Sequence, residues 1–339
     1  MMQVKEALYQ GIWFIYDGEC PMCNSAAHAL RIKKEFGTLN LLNAREAQQK
    51  QPTLWQQIIE KGYDLDEGMV IYYNDTFYHG KSALKFMAKY GTPQNIFTSL
   101  CKSLFWSNSL SKLTYPWMRG MRNFFLKRKQ IGRIDNLDLK AQPIFESIFG
   151  ADWQALPSVM KKHYANRPYT KDQTIVEGQL DFTCNPPLKY LDPLMKLMGQ
   201  IPASNEKNVG VRVIFESDMN DKSFRFNRYF NFKDRPPYLF QSRMVQIRNN
   251  EVAEIMRLGL CWKMFYKWDG EKVILEHNGY ALKAFGHFIP LPLTLILGKG
   301  YAEEKAINDN SFEMMTRITH PWWGKVYEYK GRFEVVKNA

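Results

Sequence analysis

The chain has 339 residues, 45% of them hydrophobic, which is enough for two cored domains and too apolar for a disordered chain. It carries a formal charge of +12 and five cysteines, and an odd count argues against the disulfide framework of a secreted protein. No stretch reaches the ~18 apolar residues that a membrane-spanning helix needs, and the early apolar run Ile12–Tyr16 is too short for a signal peptide. A soluble, cytoplasmic protein of bacterial type is expected, in a compartment that keeps its thiols reduced.

Ile12–Tyr16 reads as a strand buried on both faces. Asp17-Gly18 turns the chain into Cys20-Pro21-Met22-Cys23, where Pro21 suits the first turn of a helix. That helix is predicted over Asn24–Phe36 and stopped by Gly37. There follow a strand at Leu39–Leu42, a helix at Pro52–Lys61, a hairpin of Met69–Tyr73 and Phe77–His79, and a helix at Ser82–Tyr90. Helical pattern continues from Gln94 to about Gln130, and Gly132–Pro143 reads as the domain boundary. Trp153–Tyr164 looks helical. From Thr174 on, strands alternate with turns: Thr174–Phe182, Val209–Glu216, Ser223–Phe232, Tyr238–Arg248, Glu251–Tyr266, Lys272–Ala284 and Phe312–Thr319. Asn249-Asn250 and Asp269-Gly270 are hairpin turns. The fold class is thus a thioredoxin-like α/β domain over 1–135, with a helical C-terminal extension. A mainly antiparallel β domain, a curved sheet or barrel, follows over 144–339.

A CxxC pair at a helix start brings two sulfurs within bonding reach, and the first faces the unpaired N–H groups and positive dipole end of the helix. Cys20 is therefore the expected nucleophile and Cys23 the resolving thiol. Asp17 and Glu19 oppose a thiolate, and no cation lies near Cys20 in sequence, so only a modest lowering of its pKa is expected. Half a zinc site and a structural thiol pair are the alternatives. A second CxxC or CxxH is absent, so no metal is expected, and no cofactor. Cys101, Cys184 and Cys261 are expected to be small core residues.

Tyr16-Asp17-Gly18-Glu19-Cys20-Pro21-Met22-Cys23 resembles the YDGxCxxC signature of the DCC family of thiol-disulfide oxidoreductases. Further pieces are Glu67–Val70, Tyr78-His79-Gly80 with Ala83-Leu84, and Tyr115-Pro116 with Arg119–Asn123. The resemblance implies a site of Asp17, Cys20 and Cys23 and a thiol or disulfide substrate. One departure from thioredoxins is the lack of proline over Glu60–Val70, where Gly68-Met69 replaces their cis-proline; this leaves small-thiol or metal chemistry open beside peptide reduction.

From Thr76 to Ile134 there are eleven Lys and Arg and no Asp or Glu. This 76–134 segment, with aromatic and basic residues mixed over Pro116–Ile131, suits either a packed helix with a solvated basic face or peripheral contact with an anionic membrane such as the inner membrane; nucleic acid is not expected. Residues 144–336 resemble the DUF4166 family, through Phe145–Leu156, Glu177-Gly178, Phe224–Phe230, Glu254, Leu291-Pro292, His320-Pro321-Trp322-Trp323-Gly324 and Tyr329-Lys330-Gly331. Candidate ligand-binding residues there are Arg225, Arg228, Glu254 and His320. Arg225 and Arg228 fall on opposite faces of a regular strand, so at most one points inward. An inward arginine paired with Glu254 suits an amphipathic ligand with an anionic group, and a structural Arg–Glu pair accounts for it equally. The function expected is thiol-disulfide exchange with a ligand- or partner-binding β domain; the alternative is a non-catalytic protein that binds a lipid-like ligand on a thioredoxin-fold scaffold.

Overall fold

The computed structural model describes residues 11–338 except 30, 33–36, 93–98, 100–102, 106, 187, 198, 202 and 234; Cys101 thus lies outside the described residues. The chain forms two compact units, the first running to Asp138 and taking in Phe285–His287, the second made of the rest.

In the first unit β1 (Ile12–Tyr16) is central. It pairs parallel with β2 (Leu39–Asn43) and antiparallel with β3 (Val70–Tyr73), from which β4 (Thr76–His79) returns about Asn74-Asp75. Both turn residues have positive φ, which matches the twist of a two-residue hairpin. The period-two alternation of β1 divides its side chains between two cores. Ile12, Phe14 and Tyr16 face α1 (Pro21–Ala29) and α3 (Lys81–Tyr90), while Ile15 faces α2 (Pro52–Glu60). The helix after the dithiol runs over Pro21–Ala29, and Arg31–Ile32, predicted helical, pairs instead as a two-residue strand with Gly91–Thr92; residues 33–36 of the predicted helix lie outside the described residues. The last helix, α4 (Asn108–Arg128), lays Tyr115, Met118 and Leu126 on the core that α1 and α3 share.

The second unit begins with α5 (Ile144–Phe149) and α6 (Ser158–His163). The single helix predicted over Trp153–Tyr164 is broken at Leu156-Pro157, since a residue before proline is pushed out of the helical region; Leu156 is extended. Ten strands follow: β5 (Gln173–Cys184), β6 (Val209–Ser217), β7 (Phe224–Asn231), β8 (Tyr238–Arg248), β9 (Glu251–Ile255), β10 (Leu260–Trp268), β11 (Lys272–Ala284), β12 (Lys299–Ala306), β13 (Ser311–His320) and β14 (Gly324–Lys337). Each pairs antiparallel with the next, and β14 pairs with β5, so the meander closes as a ten-stranded barrel. A further strand, His287–Leu291, is hydrogen-bonded to β11. The single strand predicted over Glu251–Tyr266 is two, because Leu258 and Gly259 adopt positive φ and turn the chain between β9 and β10. Inward residues of alternate register build the core: on β7, Phe224, Phe226 and Phe230 are buried, while Arg225 and Tyr229 face out.

Candidate functional site

The Cys20 carbonyl accepts the Asn24 N–H at 2.9 Å, which puts Cys20 at the N-cap of α1. Its sulfur accepts the Cys23 N–H at 3.3 Å, the bond a serine or aspartate oxygen makes in an ordinary cap. This arrangement separates the two thiols electrically. Hydrogen bonding from the Cys23 thiol lowers the Cys20 pKa to about 6; burial works against it, and the Cys23 N–H, the Arg122 guanidinium and the Met22 N–H add to the lowering. The hydrogen bond to Cys20 pushes Cys23 well above the usual thiol range, and burial and the charge of Cys20 add to that. The lowering at Cys20 exceeds the modest one expected from sequence, because its thiol partner and a cation remote in the chain both act on it.

That cation also settles Asp17. Asp17 is buried and carries two arginines: Arg45 at 2.8 Å and 3.2 Å, and Arg122 at 3.0 Å. Its charge is thus paired with two cations, and it acts on the dithiol by helping to raise Cys23. Arg122 is itself buried and donates to the Leu65 carbonyl at 3.4 Å and to that of Asp66. Of the eleven basic residues, Arg119, Arg122 and Arg133 form ion pairs with Glu67, Asp17 and Asp66. Part of the excess charge of this segment is therefore compensated within the unit.

Neither sulfur is exposed: Cys20 is at 0% and Cys23 at 6%. A working dithiol needs its first sulfur open at the helix end, and here both are covered. Cys23, not Cys20, borders a pocket of about 40 Å³, closed on one side by Tyr115, Met118, Arg119 and Arg122 of α4. The Tyr115 hydroxyl donates to the Glu67 carbonyl at 2.9 Å and fills the space beside Gly68 and Gly80. The helical extension thus covers the stretch that replaces the cis-proline. Among the described residues no cluster of three metal-ligating side chains exists. Cys184 and Cys261 are buried in the second unit, their thiols pushed up to about 11 by burial.

The barrel encloses a second cavity, about 90 Å³, lined mainly by apolar side chains. Arg228 points into it and meets Glu254 at 2.8 Å, and Ser242 bridges them, accepting from Arg228 at 3.0 Å and donating to Glu254 at 2.6 Å. Across the cavity Glu304 accepts a hydrogen bond from Tyr164 and lies 3.6 Å from His163 Nε2. Burial would raise the Glu304 pKa, but His163, Tyr164 and Arg228 outweigh it and hold it low. Two of the four predicted residues are not on this cavity. Arg225 lies on the outer face and pairs with Asp218 at 3.2 Å, because an offset of three inverts its side. His320 ends β13, bonds the Leu295 carbonyl at 3.0 Å and packs against the tilted Trp323 ring, so it fixes a turn.

Sequence reasoning missed Arg45 and Arg122 in the first unit and His163, Tyr164, Tyr266 and Glu304 in the second. Arg122 lay within the Arg119–Asn123 piece of the DCC-like pattern, so a signal existed without a role attached. Nothing in the local sequence of His163 or Glu304 marks them.

Fold and site define a thioredoxin-type dithiol domain fused to a closed β-barrel with a polar cluster in its interior. Residues 14–128 match the family described as DCC1-like thiol-disulfide oxidoreductase, and residues 156–333 match the domain of unknown function DUF4166. The second match spans more than half of the chain, which belongs to the DUF4166 family and carries a DCC1-like domain before it. No curated relative matches it. Among solved structures, the S-type phycobiliprotein lyase CPES from Guillardia theta is similar at 9% identity, over 50% of this chain and 89% of that one, with a TM-score of 0.23. The dehydratase domain of the polyketide PpsC from Mycobacterium tuberculosis is similar at 5% identity, over 56% and 84%, with a TM-score of 0.13. Likenesses this slight carry no argument.

Proposed function

We propose that the protein exchanges thiols and disulfides through Cys20 as nucleophile and Cys23 as resolving thiol, in a reducing compartment, and that its barrel is a binding compartment. The observation that carries this reading is the geometry of the dithiol: the Cys20 sulfur sits at the N-cap of α1 and accepts the Cys23 N–H at 3.3 Å, an arrangement that lowers the Cys20 pKa and raises that of Cys23. In the reductive direction the Cys20 thiolate attacks a substrate disulfide. The S–S bond breaks, and the leaving sulfur takes up a proton. Cys23 then loses its proton to solvent and attacks the Cys20 sulfur, closing the Cys20–Cys23 bond and releasing the second substrate thiolate. Two electrons pass to the substrate, and the reverse sequence oxidises a dithiol. Arg122 is the fixed counter-charge for each thiolate stage.

Both sulfurs are buried, so exchange requires local opening. The same burial favours a second reading, a binding protein whose dithiol is incidental. Intact-mass titration across glutathione buffers, with Cys20→Ser as control, separates the two. The redox reading expects a two-electron transition in the native protein that the control lacks. If no disulfide forms over the accessible range, the binding-protein reading replaces it.

A further inference from the structure

The barrel cavity has a chemical bias that the predicted anionic ligand does not fit. Its one arginine is already engaged: Arg228 bonds Glu254 and Ser242 and is sandwiched by the Phe226 and Phe240 rings at 4.5 Å and 4.7 Å. Two carboxylates, Glu254 and Glu304, line the same space, so an anionic group would enter against them. The polar atoms left without an oxygen or nitrogen partner are different ones. His163 is 5% exposed and its Nδ1 has no hydrogen-bond partner. The Tyr266 hydroxyl, also buried, reaches only the Met244 sulfur at 3.5 Å. A buried donor left this poorly matched costs stability unless something else meets it.

We infer that the barrel cavity binds an uncharged molecule with a small apolar body, the size of one aromatic ring or a short chain, and one hydroxyl or carbonyl oxygen held by Tyr266 and His163. This rests on the barrel being a binding compartment. The charged pairs of the cavity orient its walls and are not themselves the ligand's contacts. At about 90 Å³ the cavity is smaller than the ~150 Å³ void that takes benzene in an engineered core. Met244 and Met314 line it, however, and unbranched thioethers shift at little cost, so a single ring is admitted when they move. Burial keeps the Tyr266 phenol protonated and therefore a donor.

The test uses the full chain with isotope-labelled methionine methyls, followed by NMR while one ring is offered in three charge states: phenol, benzoate and benzylammonium. Phenol is expected to move the Met244 and Met314 methyls saturably, with benzoate and benzylammonium weaker by about tenfold or more, the scale set by facing or burying an unpaired charge. Tyr266→Phe, which keeps the ring, is expected to weaken phenol about fivefold through one lost neutral hydrogen bond. If benzoate or benzylammonium moves the same methyls as strongly as phenol, the uncharged-ligand inference fails while the binding compartment stands. If no ring moves them, water alone fills the cavity and both fail. An unchanged affinity in Tyr266→Phe overturns the assigned anchor.

Discussion

Arg122 and Asp17 lie 105 residues apart in sequence, yet their ion pair sets the charge balance beside the dithiol. The local sequence of Cys20 shows two acids and no cation, and a reading confined to it underestimates how far the thiol is acidified. What was legible was the geometry the CxxC requires: an apolar strand, a tight turn and a helix with proline in its first turn. What was not legible was the cation delivered by α4, since side chains that meet across a fold leave no periodicity. The resulting pH behaviour is specific. A thiol with its pKa lowered to about 6 is ionised above that pH and loses its charge as pH falls through it. Thiolate ultraviolet absorbance is therefore expected to titrate with a midpoint near 6 in the reduced native protein and to lose that step in Cys20→Ser. Arg122→Met removes a favourable charge and moves the midpoint upward. A wild-type midpoint in the ordinary thiol range, about 8.5, would refute the assignment of the thiolate to Cys20.

At the scale of the element, α4 does two things with two faces. Its inner face, with Tyr115, Met118, Arg122 and Leu126, covers the dithiol side of the domain. Gly80 makes this cover possible, because it has φ +55 and a Cβ there would strike the Tyr115 hydroxyl. Gly80→Ala adds strain of about 1–2 kcal/mol at that backbone conformation and pushes Tyr115 away. Alkylation of Cys23 in the native state should then speed up by about tenfold, as expected for a cover loosened by that amount. An unchanged rate would mean that thiol access does not pass under this helix. The outer face leaves Leu110, Trp117 and Phe124 exposed at 45%, 66% and 60%, one every seven residues along a single stripe. Lys127, Arg128 and Lys129 follow the stripe as exposed cations. No helix among the described residues is long and apolar enough to cross a membrane, whereas an aromatic stripe beside cations suits a membrane surface. Peripheral contact through this stripe predicts co-sedimentation with vesicles that contain anionic lipid, weaker in high salt and weaker again in Trp117→Ala. Equal recovery with neutral and anionic vesicles would identify the stripe as merely solvated.

For the whole molecule, closure of the barrel is the feature the sequence conveyed least. Strands β7, β8 and β11 announce themselves by alternation, but β14 is rich in Lys and Glu and hides an inward apolar set behind outward charge, and β12 turns Glu304 inward beside Ala302. Pairing of the last strand with the first is a long-range event that no local pattern encodes. Yet the glycines of the Glu177-Gly178 and Tyr329-Lys330-Gly331 pieces sit at that seam, where Gly331 pairs with Leu180 and Gly178 with Phe333. A Cβ on Gly331 would run into the Gln179 carbonyl of β5, so β5 and β14 approach closely only because a side chain is missing there. Gly210 on β6 provides the contrast, since a Cβ there would meet nothing closer than the Asn231 side chain at 3.8 Å. Valine favours strands, so Gly210→Val should be neutral or slightly stabilising. Gly331→Val forces the seam apart and should cost about 2–3 kcal/mol by overpacking, visible as a lower denaturant midpoint for the barrel. It should also abolish the phenol-induced shifts of the Met244 and Met314 methyls, because an opened barrel has no enclosed cavity. If the two valine variants unfold alike, the β5–β14 seam is not where the barrel is held shut, and the reason for glycine at 331 lies elsewhere.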